Sequence, residues 1–217
     1  MAEEITVSED DLQDQQAALM AAMAAKNILI KNHYYMYDEI TMETAKQMVV
    51  NMSELAMTIV QNSLTTGMEI CPIHLHLCSP GGDLMAALAI VKLINDLQLG
   101  QVGGLGRFKV PIKVYTHIEG EADSGASLIA CVGDKRYCSR NALSLIHPMR
   151  SIDINYKTPE EQKQELENID RKDEIYRRIY MEHSKLKAKD LDEMFKKEKY
   201  YTPDELVKFG LVDEIED

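Results

Sequence analysis

The sequence lacks the features that place many proteins in a class at first sight. It has no run of about 18 apolar residues, so it predicts no membrane-spanning helix. Aspartate and glutamate number 36 against 24 lysines and arginines, and the net charge of −12 argues against non-specific binding to nucleic acid. No glycine-rich phosphate loop or dinucleotide-binding fingerprint is present. Membrane and nucleic-acid partners are therefore not expected.

Cysteine is also scarce, because the chain has four and none of them forms a C-x-x-C pair. The acidic residues 1–11 do not resemble a secretory signal, so we expect reduced thiols and a cytoplasmic location. His74 and His76 are spaced as two metal ligands on one strand could be, but no third ligand accompanies them at a suitable spacing. No metal and no other cofactor is expected.

Length and composition predict one sizeable domain with a large core, since 45% of the 217 residues are hydrophobic. Residues 1–26 form a separate, partly flexible N-terminal segment with high helix propensity over residues 12–26. That helix could dock on a partner, contact another subunit or lie frayed on the surface. The domain itself is expected to span residues 27–217.

Hydrophobic periodicity divides the domain into strands and helices. Strands are predicted over residues 27–31, 70–77, 113–118, 135–138 and 142–146, with a last strand from Leu211. Helices are predicted over residues 42–61, 83–97, 122–132 and 160–195, the last with a break near 186–189, and over a short segment between Thr202 and Gly210. The glycine-rich residues 98–111 are predicted to be a surface loop. This order indicates a single α/β domain.

Residues 113–133 form the most informative stretch, with a strand, a sharp turn and a buried helix. Gly120 is predicted to end the strand, and Gly133 to end the helix. Ser124 falls where the helix begins, so its hydroxyl lies near the positive end of the helix dipole and near unpaired backbone N–H groups. Such N–H groups can hold an oxyanion. A plain helix N-cap is the alternative role for serine at this position.

Two further segments carry residues suited to a hydrolytic site. Pro80-Gly81-Gly82 joins a strand to a helix, and glycine backbone there can approach a ligand closely and point N–H groups outward. A tight turn is the simpler interpretation of these glycines. His147 ends a strand, where it could face a site, although a structural histidine is the more usual finding.

Taken in order, four segments resemble the proteolytic subunit of Clp protease, the ClpP family, from about residue 27 to the C-terminus. They are Pro80-Gly81-Gly82, the segment from Gly120 to Ser124, Ile146-His147-Pro148 and residues 201–213. The resemblance implies a serine–histidine–acid triad in that chain order, with Ser124 as nucleophile and His147 as base. It also implies an oxyanion hole formed by the N–H groups of Gly82 and Gly125.

The sequence departs from the family at three positions close to this chemistry, and at one of them, Gly125, the family usually has a larger apolar residue. The triad aspartate of the family corresponds here to Glu198, whose carboxylate is one methylene further out, and a displacement of about 1 Å can cost ~100-fold in rate. Asp190 and Asp192 lie nearby as alternatives, out of register. Asp123 replaces a small residue before the nucleophile, and it would either cap the helix or place a negative charge beside the oxyanion.

By resemblance, the expected fold is the ClpP/crotonase-like spiral of β-β-α units, with a helical handle inserted at about residues 150–195. The family assembles as stacked heptameric rings, a tetradecamer with its sites inside, fed by an AAA+ unfoldase of the Clp type. The chain would then be a serine endopeptidase that hydrolyses peptide bonds of unfolded proteins. Residues 150–157 replace the glycine-rich segment that helps to join the two rings, and the N-terminus does not resemble the axial loop of the family.

The sequence leaves two other functions open. A catalytically weak or inactive ClpP-like subunit could shape a mixed protease ring, and Glu198 and Asp123 favour this alternative. A crotonase-type acyl-CoA enzyme shares the fold and the oxyanion hole, but it does not need the ordered pair of Ser124 and His147. Chemical labelling at Ser124 separates the peptidase from both alternatives.

Overall fold

The computed structural model describes residues 27–30, 32–101, 110–148 and 157–217. The helix predicted over residues 12–26, most of the loop predicted over 98–111 and the first part of the predicted handle lie outside the described residues. The described chain has a parallel sheet covered by helices, which confirms the predicted α/β class. No helix in these ranges is long and apolar enough to cross a membrane.

A six-stranded sheet forms the centre of the fold, in the order β1-β2-β3-β4-β5-β8. Its strands are β1 (Asn27–Ile30), β2 (His33–Met36), β3 (Ile73–Ser79), β4 (Val114–Ala122), β5 (Lys135–Ser139) and β8 (Glu214–Glu216). Strands β1 and β2 pair antiparallel, and every other neighbouring pair is parallel. A second, two-stranded antiparallel sheet joins β6 (Ser144–Leu145) to β7 (Tyr200–Tyr201).

Six helices complete the described chain: α1 (Met42–Thr66), α2 (Leu84–Gln98), α3 (Gly125–Cys131), α4 (Pro159–His183), α5 (Ala188–Lys197) and α6 (Pro203–Phe209). Thr41 and Thr158 each close a capping box, in which the threonine hydroxyl accepts an N–H of the first turn. Gly210 ends α6 in the left-handed conformation, as expected from the sequence. These caps fix where the helices start and stop.

The core lies between one face of the large sheet and the helices α1, α2 and α3. Alternate residues of the strands point into it, among them the fully buried Leu75 and Leu77 of β3, and Ile90 and Ile94 of α2 belong to the same buried cluster. Burial of one such side chain contributes about 1.5–3 kcal/mol to folding. The opposite face of β3 carries His74 and His76, as its alternating sequence predicts.

Two predictions about the strands need correction. Strand β4 continues through Gly120 to Ala122, because neighbouring chain supplies hydrogen bonds there and the Gly120 carbonyl accepts the N–H of Leu143. Strand β2 was not predicted, since only Tyr34 and Met36 of its four residues are buried and they give too short a pattern. The break in the long helix is confirmed, because α4 ends at His183 and α5 begins at Ala188.

Candidate active site

Ser124 lies in the sharp turn between β4 and α3. Its φ of 52° and ψ of −121° are unusual for a residue with a side chain, and such strain is typical of a nucleophile held above a strand-to-helix turn. The Ser124 side chain makes no capping hydrogen bond to α3. Ser124 therefore holds the N-cap position without a capping bond from its side chain, and its half-buried hydroxyl is not bonded to the helix.

The glycines after β3 pack directly against this turn. A Cβ on Gly81 would clash with the Asp123 carbonyl and would lie 2.8 Å from the Ser124 Cβ. Gly82, with φ of 145°, has no space either, because its Cβ would clash with the Ile40 carbonyl. Both glycines are thus required by close approach as well as by backbone conformation. The tight-turn interpretation of these glycines was incomplete, since the turn also touches the candidate nucleophile.

Two backbone N–H groups flank Ser124 without a partner in the described ranges. The Ile40 N–H donates to the Gly81 carbonyl at 2.7 Å, and the Asp83 N–H donates to the Ile40 carbonyl at 2.8 Å. The N–H of Gly82, which lies between Gly81 and Asp83 in the chain, makes no hydrogen bond in the described ranges. The Gly125 N–H is the first of α3, and no described group accepts it. The Gly82 nitrogen lies 3.9 Å from a Cβ built on Gly125, so these two residues adjoin. The arrangement suits the binding of an oxyanion.

His147 follows β6 and is half-buried. Its Nδ1 lies 2.7 Å from the Pro148 carbonyl oxygen, so Nδ1 carries the proton and donates, and Nε2 keeps its lone pair. That tautomer is the one a general base needs. No hydrogen bond joins His147 to Ser124 in the described chain.

Glu198 ends α5 in a left-handed conformation, with φ of 41°, and its side chain is exposed. Strand β7 follows, with Tyr200 paired to Leu145 and Tyr201 paired to Ser144. Continued by two residues, this antiparallel register would bring Glu198 level with His147.

A family model described as Clp protease matches residues 15–217 of the chain. The chain belongs to the Clp protease family. The match covers the turn, the glycines, His147 and Glu198, and the fold expected from the resemblance is confirmed.

Within this Clp protease fold, the predicted site residues fall into two groups. Ser124, Gly82 and Gly125 adjoin one another at the start of α3. His147 follows β6 and Glu198 precedes β7, and these two strands pair with each other. The Ser124 N–H donates to the Leu145 carbonyl at 2.8 Å, and this bond joins the two groups.

Asp123 occupies a position that neither sequence interpretation foresaw. In the described chain its carboxylate makes no hydrogen bond to α3 or to the N–H groups of Gly82 and Gly125, and Oδ1 accepts the Leu145 N–H at 2.7 Å. The charge of the nearby Asp123 carboxylate also raises the pKa of the Tyr200 hydroxyl. Burial raises the pKa of Asp123, and the Leu145 hydrogen bond opposes this rise. The acidic residue before the serine was a visible signal, but its partner depends on a strand register that the sequence does not reveal.

Outside the site, four histidines lie side by side on the open face of the large sheet, and we call them the histidine ladder. Its members are His33, His74, His76 and His117. His33 Nδ1 lies 2.8 Å from His76 Nε2, and His76 Nδ1 lies 2.5 Å from Glu119. In the same way, His74 bonds to His117 at 2.9 Å, and His117 to Glu216 at 3.0 Å. Protonation of every ring at Nδ1 satisfies both chains with neutral histidines.

The ladder does not have the geometry of a metal centre. His74 and His117 stack with ring centroids 5.1 Å apart, and His76 and His117 with centroids 4.6 Å apart. Stacked rings direct their lone pairs along parallel planes, whereas a metal needs them to converge on one point. In the described ranges, no three histidine, cysteine, aspartate or glutamate side chains form a group that could hold a metal ion.

Proposed function

We propose that the chain is a ClpP-like serine endopeptidase, the proteolytic subunit of a ring protease that hydrolyses peptide bonds of unfolded proteins. The observation that carries the proposal is the strained turn at Ser124, whose hydroxyl makes no capping bond and which adjoins two N–H groups that have no partner in the described ranges. A helix cap needs no such strain, whereas an exposed nucleophile beside an oxyanion hole does. Membership of the Clp protease family supports the same conclusion.

In the proposed mechanism, the Ser124 hydroxyl attacks the carbonyl carbon of the scissile peptide bond. His147 Nε2 takes the hydroxyl proton and then returns it to the leaving amine. The N–H groups of Gly82 and Gly125 hold the negative oxygen of the tetrahedral intermediate, and loss of one such donor costs ~100–1000-fold in rate. Water then releases the acyl group from Ser124, with His147 again acting as base.

Glu198 is the proposed acid that orients His147 during this cycle. The pairing of β6 with β7 supports this role, because the same register continued by two residues would set Glu198 opposite His147. For this role, His147 Nδ1 has to exchange its bond with the Pro148 carbonyl for one with the Glu198 carboxylate, and catalytic hydrogen bonds commonly tighten only when substrate binds.

Assembly into a heptameric ring or a stacked double ring is part of the proposal, and it rests on the family. A closed chamber would restrict access to unfolded polypeptide, since a folded protein could not enter. An AAA+ unfoldase of the Clp type is the proposed partner that supplies such chains. In the absence of that partner, we expect cleavage of short peptides only.

A second candidate function is a catalytically weak or inactive subunit of a mixed ring. It is favoured by one observation, that His147 Nδ1 faces the Pro148 carbonyl and that no hydrogen bond connects His147 with Ser124 in the described chain. Such a subunit would keep the fold and the ring contacts, and a catalytic partner subunit would supply the activity.

Labelling of the purified chain with a fluorophosphonate probe tests the peptidase proposal. We expect one labelled residue, Ser124, with no labelling after Ser124→Ala and at least ~100-fold slower labelling after His147→Ala. Ser63→Ala is the matched control, since Ser63 is a half-buried serine in the last turn of α1 whose hydroxyl bonds to the Met68 carbonyl, and its loss should leave labelling unchanged. Hydrolysis of a fluorogenic short peptide should follow the same pattern.

Two results would contradict this proposal. Labelling that survives His147→Ala unchanged would mean that no base activates the serine. No labelling in a folded, assembled sample would favour the inactive-subunit alternative, and addition of a catalytic subunit would then be the next experiment.

A further inference from the structure

The end of β4 and the segment that leads to His147 form a short parallel ladder of hydrogen bonds. The Leu143 N–H donates to the Gly120 carbonyl at 2.9 Å, and the Ala122 N–H donates to the Leu143 carbonyl at 3.1 Å. Further along, the Ser124 N–H donates to the Leu145 carbonyl at 2.8 Å. A regular parallel ladder would contain one more bond between these, from the Leu145 N–H to the Ala122 carbonyl.

That bond is replaced in this chain by a side chain. The Leu145 N–H donates to Asp123 Oδ1 at 2.7 Å, and the Ala122 carbonyl accepts the Ser144 hydroxyl instead. The Asp123 side chain is well buried, with Asp123 only 5% exposed, so water cannot easily take over the acceptor role. A carboxylate oxygen therefore occupies the place of a backbone carbonyl, one residue before Ser124.

The same carboxylate reaches a third element. Tyr200 of β7 lies close enough to Asp123 for the carboxylate to raise the pKa of its hydroxyl, and Tyr200 is the residue paired with Leu145 in the small sheet. Asp123 thus lies in the β4–α3 turn that carries Ser124, accepts a hydrogen bond from the β6 segment that precedes His147, and is near the β7 segment that follows Glu198. These are the three segments of the proposed triad.

We propose that Asp123 is a positioning residue, whose carboxylate replaces a main-chain carbonyl and holds the His147 and Glu198 segments in register with Ser124. The inference rests on the proposed peptidase function for its catalytic consequence, but the hydrogen bond itself does not. What matters is an acceptor at this position. An asparagine oxygen can replace the carboxylate, and alanine cannot.

The test compares Asp123→Ala with Asp123→Asn by the kinetics of fluorophosphonate labelling. We expect Asp123→Ala to lower the maximal labelling rate constant by ~10–100-fold, with the half-saturating probe concentration within ~3-fold of the parent, because misplacement of the base slows the chemical step. Asp123→Asn should stay within ~3-fold of the parent on both measures. A rate after Asp123→Ala equal to the parent, or an asparagine variant as slow as the alanine variant, overturns the proposal.

A second substitution addresses the ladder directly and serves if Asp123→Ala folds poorly. Ser144→Ala frees the Ala122 carbonyl, so the Leu145 N–H of the double variant Asp123→Ala/Ser144→Ala can form the regular ladder bond. We expect the double variant to label at least ~3-fold faster than Asp123→Ala, or to label measurably where the single variant yields no folded protein. A double variant no better than the single variant counts against the proposed replacement.

Hydrogen exchange separates this inference from the proposed function. The Leu145 amide should exchange at least ~10-fold faster in Asp123→Ala than in the parent, and in Asp123→Asn it should exchange at nearly the parent rate. If the parent is not labelled at Ser124, the peptidase proposal fails, and this exchange result still decides whether Asp123 closes the ladder. Equal Leu145 exchange in the parent and the alanine variant overturns the inference even if the enzyme is active.

Discussion

At the scale of single residues, Gly81 shows how closely the candidate site is packed. It has φ of 89°, and a Cβ there would meet the Asp123 carbonyl, the Ser124 Cβ and, at 3.1 Å, the Gly125 nitrogen. Backbone atoms cannot move aside as a flexible side chain can. Any substitution of Gly81 therefore has to displace the turn that holds the candidate nucleophile.

We expect Gly81→Ala to destabilise the fold by about 2–5 kcal/mol and to abolish labelling of Ser124, since it combines backbone strain with overpacking. Gly67→Ala is the matched control. Gly67 also has a positive φ, of 71°, but nothing lies within 4 Å of its Cβ position, so only the strain of about 1 kcal/mol should appear. Urea unfolding and labelling measure the two effects. Normal labelling in a stable Gly81→Ala variant would contradict the packing described above.

At the scale of elements, the histidine ladder links β2, β3, β4 and β8 across the open face of the sheet. Burial, together with the charges of the other three histidines, lowers the pKa of His74 to about 4. Burial is also the main cause that lowers the pKa values of His33 and His117. The groups that face these rings include Glu119 and Glu216, which favour the charged form and oppose part of the shift at His117.

The histidine ladder predicts that the fold loses stability in mild acid. A histidine in the unfolded chain binds its proton near pH 6.5, whereas His74 in the fold does so only near pH 4. The unfolded state therefore binds more protons between these values, and the free energy of unfolding falls as the pH falls from about 6.5 to about 4. We expect His74→Asn, which keeps an N–H donor for His117, to reduce this fall. Urea unfolding at pH 7.5 and pH 4.5 measures it.

Tyr35→Phe is the control for this prediction, because Tyr35 stacks on His76 with ring centroids 4.4 Å apart. The substitution changes a ring beside the ladder without removing an imidazole. Its effect on stability should be the same at both pH values. If His74→Asn leaves the acid-dependent loss as large as in the parent, His74 does not contribute to it.

At the scale of the whole molecule, Arg136 joins the helical handle to the sheet. From the start of β5 it donates to the carbonyls of His183, at the end of α4, and Gly210, at the end of α6. It also pairs with Asp213 before β8, with Nη2 2.6 Å from Oδ1. This arginine lowers the pKa of Asp213 through that hydrogen-bonded pair. One side chain therefore connects three parts of the chain that lie far apart in sequence.

We expect Arg136→Ala to lower the free energy of unfolding by about 2–4 kcal/mol, because its side chain is only 14% exposed and leaves several carbonyls without a donor. Arg136→Lys should recover less than half of that, since an ammonium cannot bridge the same set of acceptors. Arg140→Ala is the matched control, because its pair with Asp217 is exposed on both sides and should contribute ~0.5 kcal/mol or less. Equal losses in the two alanine variants would show that the position of Arg136 is not special.

Local signals in the sequence were enough to predict most elements of this fold. Thr41 and Thr202 mark helix starts, Gly210 marks a helix end, and alternation over β3 separates its buried residues from its histidines. Strand β2 could not be predicted, because it is held by neighbours rather than by its own pattern. Register between strands is likewise absent from local sequence. The two hydrogen-bonded histidine pairs of the histidine ladder are each separated by 43 residues in sequence. Their contact therefore depends on how the strands pair.

The candidate site likewise contains residues that the sequence could identify and contacts that it could not. Ser124, His147, Gly82 and Gly125 could be named from motifs, and the structure places the serine and both glycines together. The contacts of Asp123 could not be predicted, because they depend on the missing ladder bond between β4 and β6. Whether Glu198 acts on His147 stays a prediction.

The histidine ladder also has an optical consequence. The chain contains no tryptophan and 10 tyrosines, so excitation of the phenol rings produces nearly all of its ultraviolet fluorescence. Two of these, Tyr35 and Tyr137, stack on His76 and His117 with centroids 4.4 Å and 4.7 Å apart. A positive charge on an imidazole in that contact interacts directly with the electrons of the phenol ring. The unlabelled protein therefore carries its own emission signal for protonation of this face.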